Sequence, residues 1–195
     1  MLRLSLLIAI MWSNVFLVAC SSSPKAAATA PATPIDPKGA IIDDISTLGA
    51  DLYNANFVGK PCTTVDSQTT CPGGGNVHIT GSFSCSTGSN DVQNLNLNFS
   101  YDMTSCIVVA NNLTLTLTGT MTHTGSSSNV SSIVSAETIN YQAQTPVKIV
   151  AVGATGSNYA PFNNSCAFAL VAQKASVNST EKVSGVICGT SVGLH

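Results

Sequence analysis

Leu113-Thr114-Leu115-Thr116-Leu117-Thr118-Gly119-Thr120-Met121-Thr122 alternates apolar or small residues with threonine throughout. Successive side chains of a strand point to opposite faces, so this stretch reads as a strand with a buried Leu/Met face and a wet Thr face. The same period of two sets Val77, Ile79, Gly81, Phe83 and Cys85 against His78, Thr80, Ser82 and Ser84. It recurs where Leu95, Leu97, Phe99 and Tyr101 alternate with Asn94, Asn96, Asn98 and Ser100. Such segments are half-buried antiparallel strands. Phe83, Phe99, Leu115, Leu117 and Phe168 are expected in the core, with Ser82, Asn96 and Thr116 exposed. Turn chemistry separates the strands at Thr87 to Asp91, at Asn111-Asn112 and at Gly125 to Asn129.

Later strands read differently. Val147 to Val152 (VKIVAV) and Cys166 to Ala172 (CAFALVA) are apolar on both parities, which asks for cover on both faces. Ser131 to Tyr141 is a weaker strand and Val183 to Cys188 a last one. Upstream, Ile41, Ile45, Leu48 and Leu52 recur at helical spacing after Asp36-Pro37, an N-cap and first-turn pair. That predicts one amphipathic helix, with Asp43, Asp44 and Ser46 facing away and the apolar stripe covering part of the second sheet face. Gly49 weakens the helix. No fixed repeat appears, which argues against a solenoid or propeller. The expected fold is all-β, an antiparallel sandwich or small barrel with one N-terminal amphipathic helix, over residues 40–195.

Six cysteines follow Cys20: Cys62, Cys71, Cys85, Cys106, Cys166 and Cys188. An even set in an exported chain reads as three disulfides. Their spacings lack the short pairs of a zinc site. Cys166 opposite Cys188 would place Ala172 opposite Lys182 in one hairpin register, so a cross-strand bridge is expected there. For the remaining four, Cys62–Cys71 with Cys85–Cys106 strains a meander, since Cys85 and Cys106 would lie ~25–30 Å apart. Cys62–Cys85 with Cys71–Cys106 is the alternative, and both stay open.

Charge is scarce. Beyond Arg3, the chain's only arginine, six lysines stand against nine carboxylates, a balance of −3. This excludes a basic nucleic-acid footprint, and no nucleic-acid partner is expected. The N-terminus has a charged Arg3, an apolar run from Leu4 to Val15, and then Leu17-Val18-Ala19-Cys20. The run to Ala19 is shorter than the ~20 residues of a membrane span. Leu17-Val18-Ala19-Cys20 resembles the lipobox of bacterial lipoproteins. The resemblance covers only residues 1–20 and implies a signal peptide over 1–19, a lipid on Cys20 and cleavage before it. Acylation of the new amino group, as with palmitate, is implied too. Ser21 stands where an inner-membrane retention signal would have Asp, which by the same resemblance favours the outer membrane of the cell envelope. Residues 20–39 (Pro/Ala/Ser/Thr-rich) then form a flexible tether with Ile35 as its one large apolar residue. The membrane, reached through the lipid on Cys20, is the one partner implied.

Catalytic signatures are lacking. No G-x-S-x-G, H-E-x-x-H or P-loop motif is present. His78 falls on an outward parity, His123 on an inward parity or just past a strand end, and His195 is terminal, so no metal pair is expected. Cys71-Pro72-Gly73-Gly74-Gly75-Asn76 precedes a strand and reads as a turn, not a phosphate loop. Asp91 and Asp102 lie at opposite ends of one strand and Glu137 stands alone, so no acid pair is expected. The Thr114–Thr124 ladder beside Asn94, Asn96 and Asn98 offers a hydroxyl array, although Thr is also the ordinary polar residue of an exposed strand. No cofactor and no enzymatic activity are expected. By elimination, a structural or surface-interaction role comes first, with an unknown protein or glycan partner, and a binding module for a small apolar ligand or glycan second. A sizeable apolar cavity would favour the binder, a solid core the structural role, and acids clustered by the fold an enzyme.

Overall fold

A computed structural model of the chain describes residues 32–87, 92–130 and 133–193. Helix α1 (Lys38–Asn56) is followed by β1 (Thr64–Thr70), β2 (Asn76–Thr87), β3 (Val92–Ala110) and β4 (Leu113–Val130). Then come β5 (Ile133–Gly153), β6 (Phe162–Lys174), β7 (Lys182–Ile187) and β8 (Thr190–Val192). Each strand pairs antiparallel with the next, giving one eight-stranded sheet in the order β1 to β8. The described residues are thus all-β with one N-terminal helix and three disulfides. Among the described residues β1 and β8 each pair with one neighbour only, which leaves the sandwich rather than the hydrogen-bonded barrel.

The alternation decides which face is buried. Val77, Ile79, Leu97, Phe99, Tyr101, Leu115, Leu117, Met121, Phe168 and Leu170 form one core with Ile41, Ile42, Ile45, Leu48 and Leu52 of α1. Asn96 is exposed as expected, whereas Ser82 and Thr116 are half-buried, shaded by outward side chains of the adjoining strands. The helix packs on β3, β4, β5 and β7, on the face the strand cores already share. It does not cover the second face. Val109 and Val152 point outward there, opposite Thr114 on either side, and are 67% and 53% exposed.

Four boundaries differ from the sequence reading. β1 and β8 were not expected, since apart from Val65 and Val192 they carry only polar residues. Gly125 to Asn129 lies within β4, not in a turn. The described part of the first segment, from Ile133 to Tyr141, and Val147 to Val152 belong to one strand, β5, whose residues 144–146 bulge out between the pairs Ala143–Phe168 and Val147–Cys166. Pro146 sits in that bulge, where a missing N–H costs no ladder bond. The expected tether gives its last residues to the fold, because Ile35 bridges Tyr159 and donates its N–H to the Asn158 carbonyl at 2.7 Å. The turn expected at Asn111-Asn112 is present, with φ of 45° and 59°, the left-handed pair that joins right-twisted strands in two residues.

The bridges are Cys62–Cys85, Cys71–Cys106 and Cys166–Cys188, with Cα separations of 5.8, 5.4 and 5.0 Å. The meander argument against neighbour pairing is therefore upheld. The register behind the third bridge is not. Ala172 faces Val183 and Gln173 faces Lys182, one residue away from the register expected. In the expected register Lys182 would oppose buried Ala172 on the core face; the observed one places Val183 and Ile187 there instead. Cys188 still reaches Cys166 because it leaves the ladder with φ 51°.

Two helix residues also reverse expectation. Asp44 and Ser46 are buried, 0% and 3% exposed, rather than facing water. Asn111 Nδ2 donates to Asp44 Oδ1 at 2.8 Å, tying the helix to the β3–β4 turn, while Oδ2 has no partner. Burial raises the Asp44 pKa from 3.8 to about 6, opposed by the Asn111 hydrogen bond and assisted by Asp43. The folded state therefore binds this proton more tightly, and its contribution is full below pH about 4 and lost as pH rises through about 6. Asp44→Asn keeps an acceptor for Asn111 and removes the charge. It is expected to stabilise the domain by about 2 kcal/mol at pH 7.5 and by nothing measurable at pH 4, in urea unfolding at both. Equal effects at the two pH values would show that Asp44 does not titrate in the fold.

Candidate functional site

A 19-residue helix is about 28 Å long, whereas strands of 18 to 21 residues reach about 60 Å. One helix cannot cover such a sheet. Where α1 stops at Asn56, β2 to β5 run on, and a cleft of about 740 Å³ opens beneath the helix end. Its walls are Tyr53 of α1, Phe57 at the helix C-cap, the following segment Val58–Cys62, and inward residues Phe83, Leu95, Leu97 and Ile139. The Cys62–Cys85 bridge ties that segment to the end of β2 and lines the cleft too.

Its inner end is aromatic. Phe57 stacks on Phe99 at 4.8 Å between ring centroids, and Phe83 lies 5.8 Å from Phe57. His123 sits 4.8 Å from the Tyr141 ring, opposite Tyr141 across the ladder. It is 2% exposed, and burial pushes its pKa down to about 3, so the imidazole is neutral. Burial likewise drives the Tyr101 and Tyr141 hydroxyls well above the usual phenol range. Gly49 lets α1 sit against Tyr141, because a methyl group there would overlap the ring.

The outer end is acidic. Two ladder steps beyond His123 and Tyr141, on the same parity, Ser127 faces Glu137. Four residues of strand span about 13 Å. Glu181, from the β6–β7 connection, meets Glu137 there, and Ser46 Oγ donates to Glu181 Oε1 at 2.5 Å. Desolvation first and the neighbouring Glu181 second raise the Glu137 pKa, with Lys174 opposing. Glu137 is therefore not alone, contrary to the expectation. The two glutamates are 44 positions apart and meet only because the meander brings the β6–β7 connection back over α1.

The other expected candidates lie elsewhere. His78 Nε2 is 2.6 Å from Asp66 Oδ1 on the outward face, with no second histidine. No group of three potential metal ligands occurs among the described residues. The glycine-rich segment is a turn pinned to β3 by Gly73 N–H to Ile107 O and Ile107 N–H to Gly74 O, both 2.8 Å. Thr114 to Thr124 lie outward, but register shifts at Met103/Cys106 and Thr118/Thr122 break the spacing of the array with its neighbours. Cys20, Asp91 and His195 lie outside the described residues. No helix of the described residues is long and apolar enough to cross a membrane. Comparison of the chain with protein families, curated proteins and solved structures finds no match.

Proposed function

We propose that this protein is a lipid-anchored binding module of the cell envelope that holds a small apolar ligand in the cleft beneath the end of α1. The observation that carries the reading is the cleft itself. At about 740 Å³, with an aromatic and aliphatic inner end and a polar outer wall that includes Lys60, Gln93, Glu137 and Glu181, it falls in the size range of small-molecule sites. The anchor is read from Leu17-Val18-Ala19-Cys20, and Ser21 favours the outer membrane. Binding rather than catalysis is proposed because the inner end of the cleft is apolar and aromatic and no metal-ligand set accompanies Glu137 and Glu181 among the described residues. A structural or surface-interaction role is the second reading. It draws on the outward face, where uncharged Ser, Thr, Asn and Gln dominate β2 to β5.

The neutral dye N-phenyl-1-naphthylamine tests the cleft. Saturable fluorescence enhancement at one dye per chain is expected, and Ser127→Trp, which fills the outer wall, should weaken it at least tenfold. A dye response that never saturates, or one indifferent to Ser127→Trp, would favour the structural role. Palmitate labelling tests the anchor separately: label is expected on the wild-type chain and absent from Cys20→Ser.

A further inference from the structure

His123 has one ring nitrogen engaged and one free. The Tyr101 hydroxyl lies 2.7 Å from Nδ1, and this is the one hydrogen bond of either side chain among the described residues. With the Tyr101 phenol donating to Nδ1, the neutral imidazole carries its hydrogen on Nε2. Nε2 is not sealed inside the core as Asp44 Oδ2 is, and the little surface His123 retains opens into the cleft. A donor that reaches the cleft can be satisfied by whatever occupies it. Leucine or methionine would fill an inward β4 position with no donor to satisfy, as Leu117 and Met121 do. Among the described residues the chain supplies no acceptor for Nε2.

We propose that His123 is the specificity-determining donor of the cleft: its Nε2–H selects an uncharged apolar ligand with an acceptor oxygen, such as a ketone, at its buried end. The inference rests on the reading of the cleft as a binding site. Phe57, Phe83 and Leu97, which line the same cleft, supply contact area without competing acceptors for a ligand's inner end. Further out, Glu137 and Glu181 stand against Lys60 as the lone lysine on the wall, an arrangement that disfavours anions.

Three probes of one shape separate the possibilities: 4-phenylbutan-2-one, butylbenzene and 4-phenylbutyrate, each titrated against the bound dye. The ketone is expected to displace dye roughly three- to tenfold more tightly than the hydrocarbon, the return of one buried hydrogen bond. The anion is expected to be weakest. In His123→Phe the ketone should lose its advantage while butylbenzene binding persists. Long-range proton–nitrogen spectra of the unaltered protein give an independent reading. They should show hydrogen on Nε2, and an Nε2 shift with ketone but not with butylbenzene. Equal affinity of ketone and hydrocarbon, or hydrogen on Nδ1, would overturn the selection while leaving the cleft as a site. A carboxylate that binds as tightly as the ketone would overturn the exclusion of anions. Failure of all three to displace the dye would overturn the binding reading itself.

Discussion

Phe99→Ala is expected to cost the domain about 3–5 kcal/mol, the range for deleting a buried aromatic side chain. Phe99 is 1% exposed and central to the aromatic cluster. Phe57 stacks on it at 4.8 Å, Phe83 and His123 approach at 6.0 Å, and Tyr101 lies parallel at 6.2 Å. These neighbours come from the C-cap of α1 and three positions on three strands, so the hole cannot close by moving one of them. Domains of this size are stable by roughly 5–15 kcal/mol, which would leave the variant near the limit of folding. Asn96→Ala, three residues away on the opposite parity and exposed, should change stability by under about 0.5 kcal/mol. Guanidinium unfolding of the pair is the test, and comparable losses would mean that the inward face is misassigned.

Gly125→Ala should be nearly as damaging, for a different reason. Gly125 has φ 146° in the middle of β4, a conformation essentially reserved for glycine. A methyl group there would overlap the Thr138 carbonyl oxygen and sit 2.9 Å from Ile139 Cα, both backbone atoms of the neighbouring strand. Backbone within a ladder cannot swing aside as a side chain would. A loss of about 2–4 kcal/mol is expected, combining conformational strain with the clash. Gly59→Ala is the control. Its φ of 77° is also left-handed, but nothing lies within 4 Å, so only about 1–2 kcal/mol of strain should be lost. If thermal unfolding shows the two alanines equally costly, the close approach of β4 and β5 at Gly125 contributes nothing.

Gly125 also shows why some of this fold was legible in sequence and some was not. Ladders such as Leu113 to Met121 declare their buried face because a one-residue slip would expose every leucine. They located β2, β3 and β4, and the parity that places Phe83, Phe99 and Leu117 inside. Glycine is ambiguous: Gly125 beside Ser126, Ser127 and Ser128 has turn composition, yet its freedom is spent on a close approach within a strand. β1 has one large apolar residue, Val65, and is a strand because β2 offers it an edge, which composition cannot report. The cleft was less legible still. His123 could be placed by parity, but its exposure to a cleft follows from the helix being shorter than the strands it covers. Glu137 and Glu181 are joined by topology alone. Asp44 and Ser46 look in the sequence like the wet side of a helix, since the spacing shows which face is apolar but not how far cover extends around it.

The order of the strands has a consequence for how the chain assembles. Every ladder joins neighbours in sequence, so contact order within the sheet is low and each strand can be added as it emerges from its N-terminal side. The helix obeys the opposite schedule. It is made first, yet its isoleucine stripe finds partners on β3, β4 and β5 and last of all on β7, more than a hundred residues later. Throughout that interval an exposed apolar helix travels ahead of a sheet with one growing edge, the kind of species that aggregates or is held by a chaperone. Sheet growth is thus local and early, whereas closure of the core waits for the C-terminal strands, and a chain truncated before β7 would carry most of the sheet with α1 still incompletely covered.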